Sequence, residues 1–284
     1  MQREAAPAKL NLSLHVVGRR PDGLHLLESL VAFTVFGDEL TVTPADRDEV
    51  VAEGPFAAAI TGPNLIERAR DRLRQRLERA DPVRISLTKR LPVASGMGGG
   101  SADAAAALRA LARVWPGVDD GAVHEVAASL GADVPMCLSG RTAIARGMGH
   151  ELSFARIEAL KAFEVLLVNP GVPVSTPTVF AALRTRDNAP LPPLPSDPDA
   201  DDLLGWLRET RNDLEPPARL VAPKIDVALA ALRDAEFARM SGSGATCFGL
   251  YRSQQAAEAA RERIAAAQPG WFVAQTRFAT GGIA

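Results

Sequence analysis

Three short stretches of this chain carry residue types that could handle a phosphorylated ligand. In RLPVASGMGGGSADAAAAL, Arg90 to Leu108, Gly96, Gly98, Gly99 and Gly100 stand in front of Ser101 and a run of alanines. Glycine opens positive φ to the backbone and lets another molecule approach it closely. The first amides of a helix have no internal partners, and their dipoles favour an anion. A glycine loop feeding a helix start is therefore a candidate phosphate cradle. The competing reading is a tight turn that packs a strand against an alanine-rich helix. Two common nucleotide motifs do not fit. No lysine follows the last glycine, as a Walker A loop requires, and the glycine spacing is not that of a dinucleotide fingerprint.

If phosphates bind here, the compensating cation must come from elsewhere. In AKLNLSLHVV, Lys9 shares one face of an alternating segment with Asn11, Ser13 and His15, and Leu10, Leu12 and Leu14 take the other. Lys9 is then either a solvent-facing lysine or half of a cation–amide pair. Asp133, in GADVP, either satisfies loop amides or orients and deprotonates a substrate hydroxyl. A third glycine cluster, MSGSGATCFGL (Met240 to Leu250), enters a strand. It is open to two readings, a backbone that closes on a ligand and a packing constraint.

The elements that must position these groups can be read from periodicity and caps. Ala8 to Val17 reads as a strand, followed by a GRRPDG turn and strand material over Leu30 to Phe36. Asn64 can cap a helix, with Glu67 completing a capping box and Leu65, Ala69, Leu73, Leu77 and Ala80 forming the buried stripe. Val83 to Leu87 reads as strand and the alanines from Ser101 as a closely packed helix. Asp119 or Asp120 starts another helix, which Gly131 ends. Phe163 to Val168, Thr246 to Tyr251 and Trp271 to Thr276 read as strands and Gln254 to Gln268 as a helix. The proline-rich Asp187 to Ala200 reads as a surface loop. The expectation is an α+β chain of two domains, residues 1–155 and 156–284.

Bulk composition narrows the function classes. The 284 residues are 47% hydrophobic and 23% charged, with a formal charge of −2, which gives no general pull toward nucleic acid. Six arginines between Arg68 and Arg79 interleave with Asp71 and Glu78, as on a solvated helix face. Cys137 and Cys247 make neither a disulfide framework nor a metal-ligand cluster and fit a reducing compartment. MQREAAPAKL lacks the apolar core of a signal peptide, and no run reaches membrane-spanning length. A soluble cytoplasmic protein, monomer or weak homodimer, with no membrane or nucleic-acid partner, is expected.

Together, PAKLNLSLHVVGRRPDGLHLLESL, RLPVASGMGGGSADAA, GADVP with SGRTAIARGMG, and MSGSGATCFGL resemble the ordered motifs of the GHMP kinase superfamily. The long first block is most similar to the branch acting on a CDP-linked methylerythritol. The resemblance implies ATP-dependent phosphorylation of the 2-hydroxyl of that substrate, with Mg²⁺, in non-mevalonate isoprenoid precursor synthesis. It implies an N-terminal domain with a left-handed βαβ crossover and a ferredoxin-like C-terminal α/β sandwich.

Carried over residue by residue, it makes Asp133 the catalytic base and Lys9 its cationic neighbour, with Asn11 near the reacting hydroxyl. Pro92 and Gly96, Met97, Gly98, Gly99, Gly100, Ser101 and Ala102 fall in the ATP phosphate loop, and Asn64, Leu65 and Lys89 on the nucleoside side. His25 would read the cytosine edge and Phe180 stack on the base, beside Leu24, where the family commonly has tyrosine. The resemblance names no secure metal ligands, although Ser101 or Asp103 could contribute. A GHMP kinase of another small alcohol (homoserine, mevalonate or a sugar) and a non-catalytic ATP-binding regulatory module are the alternatives.

Overall fold

The computed structural model describes residues 1–62 and 64–279. The first half of the chain runs β1 (Gln2–Asn11), β2 (His15–Arg19), β3 (His25–Pro44), β4 (Glu49–Glu53), α1 (Leu65–Arg76), β5 (Val83–Thr88), α2 (Gly99–Val114), α3 (Asp120–Leu130), α4 (Asp133–Ser139), β6 (Ala143–Gly147) and β7 (Glu151–Phe154). The second half continues β8 (Glu164–Asn169), α5 (Thr176–Ala181), α6 (Ala200–Glu209), α7 (Glu215–Val221), α8 (Lys224–Ala231), β9 (Phe237–Met240), β10 (Cys247–Tyr251), α9 (Gln254–Ala267) and β11 (Phe272–Arg277).

The 20-residue β3 is the spine of the first sheet, whose order is β4-β5-β3-β6-β7 with β1 and β2 also paired to β3. Its pairings are antiparallel. Only β4 and β5 run parallel, and α1 connects them as a crossover. Strand β3 runs on past the expected Leu30 to Phe36 stretch and straight through the polar Gly37-Asp38-Glu39. There, a Cβ on Gly37 would lie 2.2 Å from the Ala6 carbonyl oxygen, so only glycine lets the strands approach. The β1 register shifts between Pro7 and Lys9. Such a bulge re-aims a side chain.

The expected strand over Ala8 to Val17 is two strands with a break after Asn11, and its polar face is not solvated. Lys9, Asn11, Ser13 and His15 are all buried. Helix α1 is capped by Asn64, whose Oδ1 accepts from the Ile66 N–H at 3.0 Å. Its buried stripe is Ile66, Ala69 and Leu73; Leu65 and Leu77 are partly buried, and Ala80 lies past the helix end and is exposed. Asp119 caps α3 as expected.

The second sheet is antiparallel in the order β11-β8-β10-β9. Numbered from β8, that is 4-1-3-2, the split βαβ arrangement of a ferredoxin-like sandwich. Alternation along β8 sends Val165 and Leu167 toward a core shared with Ala8, Leu10 and Leu12 of the β1 segment. Leu166 and Val168 turn to a second core under α7, α8 and α9. A third core packs α2 on the first sheet with α1, α3 and α4 around it.

Candidate active site

The phosphate-loop candidate is a close-packed backbone turn between β5 and α2. Gly98 caps α2 at φ 65°, and Gly96 sits at φ 78°, both in the left-handed region that other residues avoid. Space adds a second constraint, since a Cβ on Gly96 would stand 2.4 Å from the Ser241 carbonyl oxygen. The first α2 amide to bond back along the helix is that of Ala102, to Gly98 O at 2.9 Å. This leaves the amides of Gly99, Gly100 and Ser101 at the head of a 16-residue helix. These three residues line a cavity of about 560 Å³. A buried alanine face lets α2 lie close against the sheet and fixes that head in place.

Lys9 and Asp133 meet at the same cavity. Lys9 Nζ donates to Asp133 Oδ2 at 2.9 Å, with 7% of the lysine side chain exposed and 41% of the aspartate's. The Lys9 backbone N–H donates to Met97 O at 2.9 Å, so the β1 segment is tied to the phosphate loop itself. Asp133 is the first residue of the short α4. Asn11 donates from Nδ2 to Ser29 Oγ at 2.8 Å, and its buried Oδ1 has no partner among the described residues. Among the described residues, a half-exposed carboxylate, a sealed ammonium, an amide oxygen without a partner and the head of α2 thus face one space. Such a set can hold an anion and take a proton from an alcohol.

His25 and Phe180 stack on each other with ring centroids 4.7 Å apart and planes at 27°. Phe180 lines the cavity. The buried His25 Nε2 has no partner among the described residues, so a donor or acceptor is held ready beside the ring. Burial, with Arg19 and Arg186 adding repulsion, lowers the His25 pKa from the ordinary histidine value. Leu24 beside it is half exposed.

The remaining sequence candidates fall in several places. Leu65 lines the cavity and Asn64 is the α1 cap. Pro92 is half-buried in the loop, and Met97 and Ala102 are core side chains. Lys89 turns inward, with Nζ 2.6 Å from Asp38 Oδ2 and 2.7 Å from Asp103 Oδ2. Burial, partly offset by Lys89 and reinforced by Asp38, pushes the Asp103 carboxyl up to about 7. Asp103 is thereby engaged with Lys89 rather than open to the cavity. Among the described residues no group of three or more His, Cys, Asp or Glu could hold a metal ion. Of the loop serines, Ser95 and Ser101 both line the cavity.

Of the second half's contribution, the sequence left the MSGSG cluster open between ligand closure and packing and did not single out its serines or Thr176. Ser241 Oγ donates to Gly96 O at 2.9 Å and accepts from the Asn11 N–H at 3.1 Å. The Thr246 N–H donates to Ser95 O at 3.1 Å. Ser243 and Thr176 hydroxyls, 2.7 Å apart, face the cavity, as does Ser29. The MSGSG cluster is thus a backbone clasp on the phosphate loop, and its two serines were the available signal.

Fold and site together define a small-molecule kinase of the GHMP type. The family of GHMP kinases N terminal domains matches residues 64–141 and that of GHMP kinases C terminal matches residues 198–270. The 4-diphosphocytidyl-2-C-methyl-D-erythritol kinase of Mesorhizobium japonicum is 52% identical over 279 residues, covering 96% of this chain and 94% of its own. A crystal structure of a 4-(cytidine 5'-diphospho)-2C-methyl-D-erythritol kinase superposes with a TM-score of 0.79 at 33% identity, over 97% of this chain and 99% of that one. Homoserine kinase from Cytophaga hutchinsonii, at 18% identity and a TM-score of 0.70 over 98% of this chain and 95% of its own, shares the fold. This chain belongs to the GHMP kinases and, within them, to the 4-diphosphocytidyl-2-C-methyl-D-erythritol kinase family.

Proposed function

We propose that the protein transfers the γ-phosphoryl group of ATP to the 2-hydroxyl of 4-diphosphocytidyl-2-C-methyl-D-erythritol, releasing ADP and the 2-phosphate. The observation that carries this reading is the Lys9–Asp133 pair on the same cavity as the head of α2. Phosphoryl transfer asks a protein mainly for positioning and charge stabilisation. The amides of Gly99, Gly100 and Ser101 hold phosphate oxygens. Asp133 takes the hydroxyl proton as the alcohol oxygen bonds to phosphorus and the bond to the ADP oxygen breaks. Lys9 orients that carboxylate and offsets charge building on the transferred group. The free Asn11 Oδ1 accepts a hydrogen bond from the acceptor alcohol. His25 and Phe180 receive the cytosine end, with Leu24 giving an apolar wall without the stacking of an aromatic ring. Mg²⁺, held by ATP phosphates and the Ser101 hydroxyl, would neutralise phosphate charge.

The test is product formation. Purified protein with ATP and Mg²⁺ is offered 4-diphosphocytidyl-2-C-methyl-D-erythritol, homoserine, mevalonate and galactose in parallel, and phosphate esters are resolved by ³¹P NMR. One new monoester, on the CDP-linked alcohol, is expected. Equal phosphorylation of an alcohol lacking cytidine would assign the chain to another substrate.

A further inference from the structure

The phosphate loop rests on a buried ion cluster that does not touch the cavity. Asp38 on β3, Lys89 just after β5 and Asp103 on the first turns of α2 have side chains 0%, 4% and 6% exposed. One ammonium lies between two carboxylates. Asp38 Oδ1 also accepts from the Arg90 N–H at 2.5 Å and the Leu91 N–H at 2.8 Å, gripping the chain where it leaves β5 for the loop. A Cβ on Gly99 would stand 3.1 Å from Lys89 Nζ and 3.7 Å from Asp38 Oδ2. The cluster therefore lies directly beneath the first residue of α2.

Burying an ammonium with two carboxyl groups is costly if stability alone is at stake. Apolar side chains of similar volume generally match or exceed a buried ion cluster in stability. Here Asp103 Oδ1 is also buried and without a partner among the described residues, a further cost. What a salt-bridged cluster supplies, and an apolar one does not, is a fixed direction between the elements it joins.

We propose that Asp38, Lys89 and Asp103 are positioning residues that aim the amides of Gly99, Gly100 and Ser101 at the ATP phosphates. The inference rests on the ATP-kinase reading and deepens it. Lys89 acts through the loop backbone and not by contact with nucleotide. A side chain at Gly99 would crowd the ammonium, which would have to give by a few tenths of an ångström.

The experiment measures ATP and adenosine binding separately, by calorimetry and ligand-observed NMR, with steady-state kinetics beside them. Asp103→Ala should weaken Mg-ATP binding roughly 10-fold or more and lower kcat, since small misplacements of a phosphate site are costly. Adenosine binding and the KM of the acceptor alcohol should stay within about twofold, and Asp103→Asn, which keeps the hydrogen bond to Lys89, should restore most of the ATP affinity. If Asp103→Ala does not fold, the uncharged combination Asp38→Asn, Lys89→Met and Asp103→Leu serves instead, with the same selective loss expected. Variants that fold and bind ATP like the unmodified protein, or lose ATP and adenosine alike, overturn the positioning role. Failure of the unmodified protein to bind ATP overturns the kinase reading and this inference with it.

Discussion

Lys9 Nζ lies 2.9 Å from Asp133 Oδ2, bringing together residues 124 positions apart at the mouth of a helix whose first amides have no partner within the helix. The partners differ in environment, for the lysine is sealed and the aspartate is open to the cavity. An ion pair so placed contributes modestly to stability, because the exposed carboxylate keeps its access to water. Its chemical value is greater than its structural value.

That asymmetry sets the first prediction. Lys9→Met keeps the methylene stem beneath Gly98 and removes only the charge. Turnover should fall about 100-fold, the size of effect seen when one charge-stabilising donor is lost. The melting temperature should move by no more than a few degrees. A large drop in melting temperature with normal turnover per folded molecule would make Lys9 a structural residue.

His25 gives a pH prediction. Burial lowers its pKa below the ordinary histidine value, so the ring stays neutral through neutral pH and gains a proton only on stronger acidification. Recognition that uses the neutral ring is present above the depressed pKa and lost as pH falls through it. The KM for the CDP-linked alcohol should rise on the acid side while the KM for ATP stays flat. In Phe180→Ala, which removes the stacked partner, the alcohol KM should already be about 5-fold higher at neutral pH, consistent with loss of roughly 1 kcal/mol of ring contact. Acid dependence appearing equally in both substrates would place its origin elsewhere.

Gly96 tests the clasp between the two halves. An alanine there meets a positive φ, and its Cβ would lie 2.4 Å from the Ser241 carbonyl oxygen, a clash relieved only by moving backbone. The strained backbone alone costs about 1–2 kcal/mol. Gly96→Ala should therefore lower unfolding free energy by more than that and weaken ATP binding together with it, as urea titration and calorimetry would record. Unchanged stability would mean that the clasp is loose.

Much of this site was legible in the sequence because its parts are local. The cap residues Asn64 and Asp119, the alanine face of α2, and the strands and helix that close the chain announce themselves within a few positions. What could not be read is what distance in sequence hides. Nothing local marks Gln2 to Pro7 as strand, since their pairing depends on Gly37 to Val42, some 30 residues further along the chain or more. The four helices between β8 and β9 were not resolved from a proline-rich, weakly periodic stretch. The resemblance put Lys89 on the nucleoside side, and nothing local announces its partner Asp38, which lies 51 residues away. His25 and Phe180 were read as separate contacts, and only the fold stacks one on the other.

The most direct measurement is single-turnover transfer from ATP to 4-diphosphocytidyl-2-C-methyl-D-erythritol by the Asp133→Asn protein. Asparagine keeps the size of the side chain and removes its ability to take the proton. The account predicts intact folding, ATP binding near that of the unmodified protein, and a transfer rate lower by roughly 100-fold or more, as for loss of a general base. Transfer at the unmodified rate by a folded Asp133→Asn protein would contradict it.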